Sequence, residues 1–246
     1  MSGGVTLAGL LYLARDATGS SPSPAVIVCH GLGSRKENHT AFAEFLCLRG
    51  LAALVFDFRG HGDSGGSLDG DVVGDIRAAI DLLKARPEID AQRIAVRGSS
   101  MGGHLAIIAG ALFEDIGAVV AICPAPEDIL HSGLLRAERE VPESERPSGL
   151  RVNLPEFLRY LESISIISAV SRISPRALML VHARGDEVIP YTRTQELYDA
   201  SGEPKRIVLL EGGSHTSAQH DPSVHDLVCR WLEQQFGIGR SQGGIG

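Results

Sequence analysis

The chain has 246 residues, 43% of them hydrophobic and 22% charged, which fits one large α/β domain and excludes a disordered or fibrous protein. The formal net charge is −7 and the lysines and arginines gather on no one segment, so neither a nucleic-acid surface nor an anionic-membrane surface is expected. No stretch reaches the roughly eighteen apolar residues of a membrane helix, the apolar N-terminal run has no basic segment before it, and Cys29, Cys47, Cys123 and Cys229 show no C-x-x-C spacing, so a cytoplasmic chain with reduced thiols is expected.

In chain order, residues 5–13 read as a first strand or hairpin, and Ala25–Cys29 as a strand buried on both faces. Asn38 is placed to cap a helix that runs to about Arg49 and stops at Gly50. Ala52–Phe56 is the next strand, followed by a Gly- and Asp-rich loop over 57–70. Val72, Val73, Ile76, Ala79, Ile80 and Leu83 then recur at helical spacing. Ile94–Val96 predicts a short strand and Gly102–Leu112 a helix; Ala118–Ile122, Leu178–His182 and Ile207–Leu210 are further strands. Pro190–Ala200 reads as a helix, as does the stretch from Asp221 to about Phe236, with Asp221 as N-cap and Pro222 in its first turn. The tail Gly237–Gly246 is expected to fray. This alternation predicts a single domain over 1–246 built on a doubly wound, mainly parallel sheet covered on both faces.

Residues 124–175 exceed what one crossover helix needs and predict a small helical cap over the carboxyl ends of the strands. Its apolar stripe places Leu154, Phe157, Leu158 and Leu161 as substrate-binding residues, and Val188 is counted with them.

Gly98-Ser99-Ser100-Met101-Gly102 stands directly after a strand and opens a helix. A serine on such a tight turn projects its hydroxyl above the sheet, and glycines two residues to either side relieve the crowding. Ser100 is therefore the candidate nucleophile. A hydroxyl needs a base and the base an orienting acid. Asp186 lies just past one later strand and His215 in the glycine-rich loop after the last, so these take the two roles. The Met101 N–H is one expected oxyanion donor and the Leu32 N–H, in the His30-Gly31-Leu32-Gly33 loop, the other, with Gly33 as its competitor. His30 is read as bracing that loop, His104 as a packed histidine, His182 as structural and Glu187 as a solvated charge. The Asp57–Ser64 loop is read as a turn held by Asp57 and Arg59. His215, His220 and His225 follow at steps of five, which aligns no ligands on a helix face, so no metal is expected.

From the His30-Gly-Leu-Gly stretch through Asp57-Phe-Arg-Gly-His-Gly-Asp-Ser and Gly-Ser-Ser100-Met-Gly-Gly to Gly185-Asp186 and Gly213-Ser-His215, the chain resembles the α/β-hydrolase superfamily. The stretch His30–His39 with Phe56-Asp-Phe-Arg-Gly is similar to small bacterial carboxylesterases, including the cinnamoyl and feruloyl esterase branch; Leu32, Met101 and Ala183 depart from that branch. The resemblance implies hydrolysis of small or medium acyl or aryl esters through an acyl-serine, without a cofactor. Its partner is a small-molecule ester, and a homodimer is allowed for. Thioesterase, lipase-like and peptidase activities use the same residues, and a non-catalytic ligand-binding homologue is the alternative.

Overall fold

The computed structural model describes residues 1–238; the fraying expected further along the tail lies outside the described residues. Seven strands form one sheet: β1 (Gly9–Tyr12), β2 (Ser23–Cys29), β3 (Ala52–Phe56), β4 (Ile89–Ser99), β5 (Ile116–Ile122), β6 (Ala177–Ala183) and β7 (Lys205–Leu210). Their spatial order is β1-β3-β2-β4-β5-β6-β7, parallel throughout except for β1, which runs antiparallel to β3 at one edge. The chain thus winds outward in both directions from the β2–β4 pair. The loops after those two strands meet at the carboxyl edge of the sheet, where ligands bind in open α/β sheets.

Alternate residues of the central strands feed two cores. On one face Ile27, Leu54, Val96, Val119 and Leu180 pack against α2 (Val73–Lys84) and α3 (Met101–Leu112). On the other, Val26, Val28, Ala95, Val120 and Met179 pack against Phe42 and Leu46 of α1 (Thr40–Leu48) and Val228 and Leu232 of α9 (Pro222–Gln235). Both layers being covered accounts for the unbroken apolar runs of β2 and β3. Asp221 caps α9 as its sequence predicts, Oδ1 accepting from the Ser223 N–H at 2.8 Å. Asn38 does not cap α1. It lies inside a 3-10 turn over Lys36–His39, and its side chain instead donates to Ser34 Oγ at 3.1 Å.

Residues 124–175 carry α4 (Glu127–Glu140), α5 (Leu154–Ser163) and the short α6 (Ile166–Ala169), and α7 (Thr192–Ala200) joins β6 to β7. Much of this segment is tied to the body of the molecule. The Leu68 N–H donates to Arg151 O at 2.8 Å, the Arg151 N–H to Gly60 O at 2.7 Å and the Asn153 N–H to Leu68 O at 2.9 Å. Here the expected substrate stripe needs correction: Phe157 and Leu161 are buried in the main core, with Phe157 stacked on Tyr160 at 5.6 Å. A helix whose apolar face finds a core to join turns that face inward, and 3-4 spacing alone does not say which surface it will meet.

Among the described residues no helix is long and apolar enough to cross a membrane, and all four cysteines are free thiols.

Candidate active site

β4 delivers its last residue, Ser99, into a turn so tight that Ser100 has φ 55° and ψ −121° before α3 begins at Met101. A non-glycine residue in this region is strained and persists only where its surroundings fix it. They do: the Ser100 N–H donates to Ile122 O at 3.0 Å, and Ser100 O accepts from the N–H groups of His104 (3.0 Å) and Ala125 (3.2 Å). The flanking glycines are obligatory, since a Cβ on Gly98 would lie 2.0 Å from Gly102 O and one on Gly102 would lie 2.3 Å from Cys29 O. Being first in α3, the Met101 N–H has no carbonyl within the helix to bond.

The loop after β2 closes on this serine, and a Cβ on Gly31 would sit 3.4 Å from Ser100 Cβ. His30 holds the loop. Its Nδ1 donates to Gly31 O at 2.8 Å and its Nε2 accepts the Phe58 N–H at 3.0 Å, which requires the neutral Nδ1–H form. Burial, with His61 beside it, pushes the His30 pKa down to about 3. Beneath it the Asp57 carboxylate accepts from the Lys36 N–H (2.7 Å), Lys36 Nζ (2.8 Å) and the Asp63 N–H (3.0 Å). Arg59 is held by Asp75 and Asp69, so the Asp57–Ser64 loop is a structural turn.

Asp186 follows β6. Oδ1 accepts the N–H groups of Val188 and Ile189, both at 2.8 Å, while Oδ2 meets His215 Nδ1 at 2.7 Å and His182 Nε2 at 3.2 Å. Burial alone would raise this carboxyl. The hydrogen bonds from His182, His215 and the two backbone N–H groups outweigh it and hold the group well below the usual carboxylate range. Cys123, at the end of β5, points a thiol toward the same cluster; Cys123, His182 and Asp186 place ligand-type atoms within 4.8 Å of one another. Both His182 nitrogens are already engaged there, Nε2 with Ile189 O at 3.0 Å and Nδ1 with Thr194 Oγ1 at 2.6 Å. Hydrogen bonding thus accounts for this cluster without a metal.

Gly31, Leu32, Ser99, Ser100, His215 and Gln219 face one cavity of about 370 Å³. The structure therefore brings Ser100, Leu32 and His215 together, with Asp186 behind His215. Leu32 also lines a second, more apolar cleft of about 480 Å³ with Leu134, Val141, Leu150 and Leu154. Leu154 is thus the member of the predicted stripe that reaches a cleft. Leu158 is half-buried against the main core. Val188 is half exposed, and its contribution to the site is its backbone N–H on Asp186. His104 is a packed histidine, its Nδ1 donating to Ala125 O at 3.1 Å.

Three residues carry more than their sequence positions suggest. Glu187 is not merely a solvated charge, because its Oε2 accepts the His215 N–H at 3.1 Å. His182 bonds Asp186 itself. Gln219 reaches the end of β4, and nothing in its sequence setting marks it. For His182 there was a signal: a histidine ending a strand four residues before a candidate acid.

Its family makes the chain a hydrolase. The family described as serine aminopeptidase, S33, matches residues 20–143, and the chain belongs to that family. Among curated proteins it is 29% identical over 211 residues to YfhR of Escherichia coli K12, covering 82% of this chain and 68% of that one. It is 37% identical over 119 residues to the quorum-quenching protein AidA of Acinetobacter baumannii, covering 46% of this chain and 39% of AidA. In fold it is similar to Est1E of Butyrivibrio proteoclasticus, solved with ferulic acid bound (TM-score 0.75, 22% identity, 97% of this chain and 96% of that one). It is likewise similar to acetyl xylan esterase 1 of Thermoanaerobacterium sp. JW/SL YS485 (TM-score 0.71, 19% identity, 95% and 80% covered).

Proposed function

We propose that the protein is a serine carboxylesterase. The observation that carries this reading is the strained Ser100 facing, across one cavity, an imidazole whose far nitrogen is bonded to the buried Asp186. His215 takes the Ser100 proton as Oγ attacks the ester carbonyl, and the Asp186 carboxylate steadies the imidazolium that forms. The Leu32 and Met101 N–H groups stabilise the oxyanion, because donors fixed beforehand need no reorganisation when charge develops. His215 then returns its proton to the departing alcohol. Water, activated by the same imidazole, releases the acid from the acyl-serine.

The segment over 124–175 serves as the cap through α4 and the stretch 147–155, which wall the apolar cleft; α5 is its buttress. An acyl group entering past Leu32 would lie against Leu134, Val141, Leu150 and Leu154. The family's description raises peptide cleavage as a second reading. An aminopeptidase needs a negative group to hold a substrate's ammonium; among the described residues no carboxylate lines the Ser100 cavity, and the one that lines the adjoining acyl cleft, Glu138, is already paired with Arg146 at 2.9 Å. That favours the ester.

The test is labelling with a fluorophosphonate probe, followed by a panel of p-nitrophenyl esters of increasing acyl length. Labelling that Ser100→Ala abolishes and Ser99→Ala only slows supports the nucleophile. An unlabelled wild-type protein points to a ligand-binding homologue instead.

A further inference from the structure

The turn that carries His215 rests on the strand that carries Ser100, and one side chain makes the join. Gln219 stands four residues after His215, in the short helix α8 (Ser217–His220). Its main-chain oxygen accepts from Arg97 Nη2 at 2.8 Å and from His225 Nε2 at 2.9 Å, and its side-chain Oε1 accepts from Ser99 Oγ. Arg97 and Ser99 are alternate residues of β4 and so face the same side of the sheet. Ser99 and Gln219 also line the cavity that holds Ser100 and His215.

Arg97 is an unexpected residue for its place. Its guanidinium is fully buried over the Phe42 ring at 5.0 Å, and among the described residues Nε and Nη1 have no partner. Among the described residues the titratable groups that interact with it are the thiols of Cys29 and Cys123 and the imidazoles of His39, His220 and His225. An apolar side chain would suit such a site better, because a buried charge with idle donors opposes folding. Among the described residues the hydrogen bond Arg97 does make through its guanidinium is the one to Gln219.

Asp186 restrains the His215 ring from its Nδ1 side. No hydrogen bond joins the ring to Ser100 among the described residues, so the approach of Nε2 to Oγ depends on where the backbone at 215 is held. Glu187 holds it on one side through the His215 N–H. We propose that Gln219 is the positioning residue on the other side: with Ser99 and Arg97 it docks the 211–220 turn onto the end of β4 and sets the distance between base and nucleophile. This rests on the reading of Ser100 and His215 given above.

The experiment compares Gln219→Leu, Gln219→Glu, Ser99→Ala and the Ser99→Ala/Gln219→Leu double variant. It reads kcat and KM on a p-nitrophenyl ester, the rate of fluorophosphonate labelling, and amide hydrogen exchange over 211–221. Misplacing a catalytic group by about 1 Å costs up to about a hundredfold in rate, so Gln219→Leu should lower kcat and labelling together by roughly ten- to a hundredfold, with KM little changed. Gln219→Glu keeps an acceptor for Ser99 and should recover most of the rate. The double variant should lose no more than Gln219→Leu, since both changes remove one bond. Exchange over 211–221 should quicken. Additive losses, failure of Gln219→Glu to recover, or unchanged exchange would overturn the proposal. If exchange quickens while wild-type Ser100 fails to label, the docking stands and the esterase reading falls. Should Gln219→Leu not fold, Ser99→Ala breaks the same bond from the strand side and must show the same loss.

Discussion

His182 shares one oxygen of Asp186 with His215: its Nε2 lies 3.2 Å from the Oδ2 that His215 Nδ1 meets at 2.7 Å. Because Nε2 faces two acceptors, Asp186 Oδ2 and Ile189 O, it must carry its proton. Removing that donor leaves a buried carboxylate short of a partner. His182→Leu should therefore lower kcat by about tenfold, on the scale set by loss of positioning, and raise the Asp186 pKa toward its ordinary value. His182→Asn, which keeps a donor, should lose less. Equal activity in His182→Leu and wild type would show that His182 is structural alone.

Phe157 distinguishes a substrate contact from a core contact. It has no exposure and packs in the main core. Phe157→Ala should cost about 3–5 kcal/mol of stability, measured by urea denaturation, and should scale kcat/KM alike for short and long acyl esters. A change in acyl preference at unchanged stability would restore the stripe as part of the binding surface.

Buried histidines make the protein acid-sensitive. Burial pushes the pKa of His104 down to about 4, of His30 to about 3 and of His39 to about 2. In the unfolded chain all three take up a proton below about pH 6.5. A depressed folded pKa means that the unfolded state binds more protons, so stability is full above that pH and falls as the pH drops toward the folded values. Three such groups give a slope of up to roughly 4 kcal/mol per pH unit. Denaturation midpoints at about pH 7.5 and about pH 5 should differ sharply, and equal midpoints would contradict the neutral tautomer assigned to His30.

Gly31 borders the space above Ser100. A methyl there would come 3.4 Å from Ser100 Cβ and 3.9 Å from its Oγ, a contact the fold tolerates. A substrate carbonyl needs that same space. Gly31→Ala should therefore leave the melting temperature nearly unchanged while cutting kcat/KM strongly, and the reverse outcome would place the reacting carbonyl elsewhere.

The sheet was readable because it is covered on both faces: β2 and β3 show apolar runs, and glycine or a charged loop follows β2, β3 and β6. The positions of Ser100, Asp186 and His215 followed from strand ends, since the chemistry of an open α/β sheet gathers at its carboxyl edge. What periodicity could not supply was the surface that the α5 stripe would meet. Nor could it supply side-chain contacts between distant segments. Gln219 and Ser99 lie 120 positions apart, and a glutamine in a short helical turn carries no local signal of such a partner. Glu187 looked like a surface charge for the same reason.

Gly33 has φ 70°, and a Cβ built on it would come 2.8 Å from Pro147 Cγ. The backbone beside the Leu32 N–H thus touches the 124–175 segment at a point without slack. A guest that fits the apolar cleft with Pro147 in place leaves that N–H where it stands. A bulkier guest, shifting Pro147, also relaxes the contact on Gly33. Size discrimination can then register as slower turnover rather than weaker binding.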